Sequence, residues 1–385
     1  MRAEILEEIS KLTTLGLKRT LRLIEGPQGP KVMMDGKEVV LMCSNDYLGL
    51  ANHPLVKEAA IKAVERWGAG AGASRLVSGN MEPHVILEER IREFKGAQSA
   101  LLFNSGYNAN LGIICALADR STEVFSDRLN HASIVDACVL SRAKVKRYAN
   151  RDINALEDLL KTSTAKKKLI VTDSVFSMDG TTAPLPEIIS LLERYNAMLV
   201  IDDAHATGVL GKCGRGSLEH FGINDHPSII QMGTLGKALG SFGAFVTAQQ
   251  EITDLLISRA RPFIYTTALP PSVCTAATKA IDIIEENPEL IRKLWDNTKT
   301  VKRGLTEAGF DTMESETPII PVKTGDSRRT MEASRKLLEH GVFVQGIRPP
   351  TVPEGTSRLR VTVTAAHSKE ELELTLAAFR EVLNG

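Results

Sequence analysis

Lys237 stands in Gly233-Thr234-Leu235-Gly236-Lys237-Ala238-Leu239-Gly240, a lysine among glycines directly after the apolar run 228–232. That run reads as a strand, so the amine falls at a sheet edge where glycine backbone can crowd a ligand. An amine so placed can carry an aldehyde cofactor. A phosphate loop needs a glycine five positions before Gly236 and Ser or Thr after the lysine; Gln231 and Ala238 stand there instead. Val200-Ile201-Asp202-Asp203-Ala204-His205 ends a second apolar run in two carboxylates and an imidazole. These are metal-ligand types, yet no second His/Glu cluster at ligand spacing completes a set. The alternative chemistry is an Asp facing the protonated ring nitrogen of an electron-sink cofactor. His131, in the polar turn Asp127-Arg128-Leu129-Asn130-His131-Ala132-Ser133, offers a ring for stacking or a structural hydrogen bond. Asn104-Ser105-Gly106-Tyr107-Asn108-Ala109-Asn110 opens a helix after the run 100–103, where free N–H groups hold a phosphate or are merely capped.

The elements that must position these residues follow from the spacing of apolar runs. Runs at 100–103, 123–126, 168–173, 198–202, 228–232 and 244–247 alternate with amphipathic stretches, the pattern of crossover units in a mostly parallel sheet. Ligands of such sheets lie at the carboxyl ends of the strands. Residues 1–50 read as an N-terminal helix and arm, with Ile5, Leu6, Ile9 and Leu12 on one helical face and breakers at Gly26, Pro27, Gly29 and Pro30. Residues 51–285 form the large domain and 286–385 a smaller α/β domain, with strands near 319–322 and 358–362 and a last helix over 369–383. The glycine-rich stretch 68–75 follows the helical segment 54–67, so it reads as an active-site loop; a dinucleotide fingerprint joins a strand to a helix.

Composition narrows the partners. Forty-seven basic residues balance forty-seven acidic ones, which points away from nucleic acid and membrane surfaces and towards a small-molecule ligand. The five cysteines include no Cys-x-x-Cys pair and suit a cytoplasmic protein. The sequence has no long apolar stretch of membrane-spanning type.

Ser44-Asn45-Asp46-Tyr47-Leu48-Gly49, Asn130-His131-Ala132-Ser133, Val175-Phe176-Ser177-Met178-Asp179-Gly180, Asp202-Asp203-Ala204-His205, Gly214-Arg215-Gly216 and Thr234-Leu235-Gly236-Lys237 resemble, in order, the motifs of the α-oxoamine synthases. That family consists of pyridoxal 5'-phosphate enzymes with the type I aminotransferase-like fold. They condense an amino acid with an acyl-CoA or acyl carrier protein and release carbon dioxide. The resemblance implies a catalytic set of Lys237, His131 and Asp202, with Lys237 bonded to the cofactor, Asp202 at the pyridine nitrogen and His131 stacked on the ring. It also implies His205 and Ser177 at the 3-hydroxyl, Gly106 and Tyr107 as further cofactor contacts, and Thr234 at the phosphate. Arg348 is implied for the amino-acid carboxylate, and Arg19, Asn45 and Thr351 for substrate. A homodimer follows from the family, with active sites at the interface and Thr266 or Thr267 of one subunit reaching the other's phosphate. The segment 347–356 with Arg358-Leu359-Arg360 resembles members that join alanine to a pimeloyl thioester, whereas 234–240 and parts of 130–150 look as much like members that join glycine to acetyl-CoA. A transaminase, a non-catalytic cofactor-binding protein and a metal-dependent hydrolase are the rival readings of the same residues.

Overall fold

A computed structural model of the chain describes residues 1–15, 17–224 and 226–384. Its largest sheet has seven strands in the order Ser99–Phe103, Ala244–Ala248, Ile229–Thr234, Ala197–Asp202, Lys167–Asp173, Thr122–Asp127 and Lys144–Tyr148. Ala244–Ala248 runs antiparallel to both neighbours, and the other pairings are parallel. The apolar runs form these strands because helices cover both faces, so alternate side chains each find a core. Leu199 and Ile201 join one apolar cluster with Leu156, Ile188 and Leu192, while Val200 between them joins another with Ile113, Ile134 and Leu256. At roughly 25 cal/mol per Å² of buried apolar surface, such two-sided burial dominates the stability of the sheet.

The parallel strands end together. Asp173 and Asp202 are register partners on neighbouring strands, and Thr234 closes the next strand along. Each crossover then turns through polar loops at the same edge, which is why that edge collects hydrogen-bonding groups.

The chain termini share smaller sheets. Lys31–Met34 and Lys37–Leu41 form a hairpin whose second strand pairs with Val342–Phe343, so part of the expected arm is a strand layer joined to the C-terminal region. Ser357–Thr362 lies antiparallel between Ile319–Gly325 and Gln345–Ile347. Glu289–Glu307, Ser327–Glu339 and Lys369–Asn384 cover these strands, with Val301, Leu337 and Phe379 in their core. The opening helix, Arg2–Thr14, buries no residue. Among the described residues, no helix is long and apolar enough to cross a membrane.

Candidate active site

Lys237 projects from the turn after Ile229–Thr234, and its Nζ lies 2.8 Å from His205 Nε2. The other ring nitrogen of His205 is 2.7 Å from the Tyr47 hydroxyl. An ammonium only donates, so while Lys237 is charged the imidazole accepts at Nε2 and carries its proton on Nδ1, towards Tyr47. Burial, followed by the charges of Lys237 and Arg360, holds the His205 pKa well below its ordinary value, so the ring stays neutral. Burial also lowers Lys237 from 10.5 to about 8; the Asp202 charge opposes this shift and Arg360 adds to it. A lysine so tuned supplies a neutral, nucleophilic amine near neutral pH.

The turn that carries Lys237 tolerates no Cβ at Gly240. Its φ is +60°, and a Cβ there would lie 2.3 Å from Ala51 N and 2.4 Å from the Leu50 carbonyl carbon. Glycine therefore lets the loop dock on residues 50 and 51.

Asp202 ends its strand and Asp203 follows it, and the two face different neighbours. Asp202 Oδ2 accepts from Asn110 Nδ2 at 2.7 Å, and Oδ1 accepts from the Ala204 N–H at 2.9 Å. Burial raises its pKa, while the Lys237 charge and these two donors favour the ionised form. Alongside it, Asp173 is pushed well up by burial and then by the Asp202 charge; its Oδ2 accepts the His131 backbone N–H at 2.7 Å. Two adjacent buried carboxylates cannot both ionise readily. Asp202 has the more favourable partners and keeps the charge. Asp203 belongs to structure: it accepts from Ser174 Oγ at 2.8 Å, Lys95 Nζ at 3.1 Å and Gln231 Nε2 at 3.1 Å.

His131 caps the helix Ala132–Ser141, and its Nδ1 is 2.8 Å from Ser133 Oγ. Gly106 and Tyr107 begin the helix Gly106–Leu117 after the cap Ser105, whose Oγ accepts only the Asn108 N–H. The first N–H groups of that helix have no intrahelical partner and suit a phosphate. Tyr107 is partly exposed and its hydroxyl bonds to Asp136. Thr234 Oγ1 donates to the Gly243 carbonyl at 3.1 Å and accepts the Gly236 N–H at 3.2 Å. Asn104 Nδ2 donates to Thr266 Oγ1 at 3.1 Å and to the Thr267 carbonyl at 2.9 Å.

Arg360 was quoted in a sequence motif without a role, yet its charge bears on Lys237, His205 and Tyr47. Its guanidinium donates to the Ser177 carbonyl at 2.6 Å, Thr362 Oγ1 at 2.9 Å and Asn45 Oδ1 at 3.2 Å. Ser177 and Asn45 thereby meet through this side chain. Arg348 instead lines a cleft with Lys18, Arg19, Arg22 and Thr351, where Arg19 Nη2 donates to Thr351 Oγ1 at 3.4 Å. Tyr47, Asp173 and Asn110, to which the sequence reading gives no role, also bond to His205, His131 and Asp202 respectively. Each had a positional signal: Asp173 ends a strand-like run as Asp202 does, and Tyr47 and Asn110 stand inside the stretches 44–49 and 104–110.

The arrangement fits an aldehyde cofactor with a basic, protonated ring nitrogen and an anionic tail. It supplies a depressed lysine for the aldehyde, a buried carboxylate for a ring N–H, a neutral imidazole for a ring hydroxyl, and a helix start for the anion.

Comparison with known proteins agrees. The family model for aminotransferase class I and II matches residues 37–379. The curated 8-amino-7-oxononanoate synthase of Geotalea daltonii is 55% identical over 98% of this chain and 96% of its own length. A solved serine palmitoyltransferase from S. paucimobilis, with bound PLP and myriocin, superposes with a TM-score of 0.92 at 31% identity, covering 98% of this chain and 96% of that one. The 8-amino-7-oxononanoate synthase of Francisella tularensis superposes with a TM-score of 0.78 at 27% identity, over 90% of this chain and 98% of that one. The chain, matched along nearly its whole length, belongs to the aminotransferase class I and II family.

Proposed function

We propose that the protein condenses L-alanine with a pimeloyl thioester, on CoA or a carrier protein, to give 8-amino-7-oxononanoate, carbon dioxide and the free thiol, a step of biotin formation. The observation that carries this reading is the Lys237 amine, lowered to about 8 and seated 2.8 Å from a neutral His205, in a chain 55% identical to a curated synthase of this kind. Pyridoxal 5'-phosphate, the cofactor of this site, supplies when bound an electron sink for the bonds broken at the α-carbon of the amino acid.

The protein's own residues do the rest. Lys237 Nζ would hold the cofactor aldehyde and, as a neutral amine, would take the α-proton of the amino acid. Asp202, anionic, keeps a proton on the ring nitrogen. His205 and Ser177 would orient the ring hydroxyl, and His131 would offer its imidazole to the ring. The buried Arg360, braced by Asn45, supports a two-pronged grip on the amino-acid carboxylate, which lysine cannot reproduce. Arg348, expected for that task, is better suited with Arg19 and Thr351 to the far end of the acyl substrate, because their cleft is basic.

The reading includes a cytoplasmic homodimer. Leu76, Val77, Phe242 and Tyr265 are large apolar side chains left exposed on the single chain, which supports burial against a second copy. Thr267, exposed near them, is then the residue offered to the partner's phosphate site.

Competition between alanine with pimeloyl-CoA and glycine with acetyl-CoA, read by mass spectrometry of the aminoketones, tests the assignment. Burying two more methylenes is worth about 1.6 kcal/mol, so kcat/KM should favour the pimeloyl pair by at least about tenfold. Predominant 2-amino-3-oxobutyrate would reassign the enzyme to the glycine and acetyl reaction.

A further inference from the structure

Four side chains form one hydrogen-bonded line: Asp202, Asn110, Ser133 and His131. Asn110 and Ser133 are fully buried, on two helices that pack against each other, and each is hydrogen-bonded to one of the two outer members of the line. The direction of each bond is fixed by what each atom can do. An ionised Asp202 only accepts, so the Asn110 atom 2.7 Å from its Oδ2 is the amide nitrogen. The second hydrogen of that nitrogen goes to Ser133 Oγ at 2.9 Å. Ser133 Oγ, having accepted there, turns its own proton to His131 Nδ1 at 2.8 Å, and the Ser133 backbone N–H points at the same nitrogen at 3.2 Å. Nδ1 is thus an acceptor, and the ring proton of neutral His131 resides on Nε2, the nitrogen left facing away from this line. Asn110 Oδ1 meanwhile is buried with no partner, as expected for an amide held by the needs of its nitrogen.

We propose that Asn110 and Ser133 are positioning residues that couple the ionised Asp202 carboxylate to the Nε2–H tautomer and orientation of His131. Asp202 and His131 are then set by one relay: the carboxylate orients the amide, the amide the hydroxyl, and the hydroxyl the imidazole. The proposal rests on the reading of Asp202 and His131 as cofactor-facing groups, and its decisive readout needs no turnover.

The test uses full-length apoprotein labelled with 15N-histidine, with the His131 ring signals assigned through His131→Gln. In the parent, the two ring nitrogens should show the shifts of a single Nε2–H tautomer. Asn110→Leu, which keeps the volume and removes the donors, should release Ser133 Oγ and average the two tautomers. Ser133→Ala should do the same in part, and Ser133→Thr should restore the parental spectrum. In the holoenzyme, Asn110→Leu should lower kcat about tenfold while leaving KM for the acyl thioester unchanged. Parental His131 shifts in both Asn110→Leu and Ser133→Ala would overturn the relay, whatever the activities. If Asn110→Leu does not fold, the contrast between Ser133→Ala and Ser133→Thr decides alone. Failure of the relay leaves the cofactor reading standing, because that reading is tested separately by chemical mapping of Lys237.

Discussion

The lowered pKa of Lys237 can be tested by moving it in both directions. The drop from 10.5 to about 8 corresponds to about 3 kcal/mol of preference for the neutral amine. At pH 7 roughly one Lys237 in ten is then neutral, against about one in three thousand for an ordinary lysine. The rate at which apoprotein captures pyridoxal phosphate, trapped by borohydride and normalised to a simple alkylamine, should therefore rise with pH and level off above about 8. Asp202 favours the charged amine, so Asp202→Asn should move the midpoint below that of the parent. Arg360 disfavours it, so Arg360→Gln should move the midpoint above. The stability of the apoprotein carries the same signature. Because the folded pKa is the lower one, the unfolded chain binds the extra proton between pH 8 and 10.5, and this group's contribution to stability rises across that window. A parental midpoint near 10.5, or the two variants shifting the same way, would refute the electrostatic account.

Other outcomes follow from the same contacts. Borohydride reduction of the holoenzyme should fix the cofactor on Lys237, as read by peptide mapping, and Lys237→Ala should abolish turnover while leaving the circular dichroism spectrum unchanged. Gly240→Ala should cost about 2–4 kcal/mol in denaturant titrations, since it combines a positive φ with a Cβ pressed on residues 50 and 51. Lys95→Met should cost about 3–5 kcal/mol by leaving Asp203 buried without its cation, again read by denaturant. Arg19→Ala should reduce kcat/KM for pimeloyl-CoA more than for acetyl-CoA, measured by thiol release.

How far the sequence could be read depended on how each element is buried. Six strands of the large sheet were legible as apolar runs because both their faces are covered. Lys144–Tyr148 was not, since this edge strand carries Lys144, Lys146 and Arg147 and leaves most of its side chains towards solvent. The short strands Val342–Phe343 and Gln345–Ile347 contain too few residues to show a period. Lys237, Asp202 and His205 stand out in the sequence by their type and their place at strand ends, and the structure brings them together with Tyr47. Which of Asp202 and Asp203 faces the site is a matter of strand alternation and of Lys95, over a hundred residues away, so adjacency alone could not decide it. Arg360 escaped for a different reason. Ser357–Thr362 alternates charged and apolar residues as a solvent-facing strand does, yet every residue of it is buried, because Asp179 and the Ser177 carbonyl satisfy the two arginines from another part of the chain.

The pocket around Lys237 is stitched from distant parts of one polypeptide. Asn45 and Tyr47 come from its beginning, Lys237 from its middle and Arg360 from near its end, and the Ala365 N–H donates to the Tyr47 carbonyl at 2.8 Å. On a ribosome, the lysine emerges long before the arginine that helps to depress its pKa. Until the strand bearing Arg360 has packed against residues 45–47, the Lys237 amine lacks that contribution and is more often protonated, so it captures an aldehyde more slowly than in the folded protein. Docking of the C-terminal strand is in this way coupled to the reactivity of the amine through electrostatics.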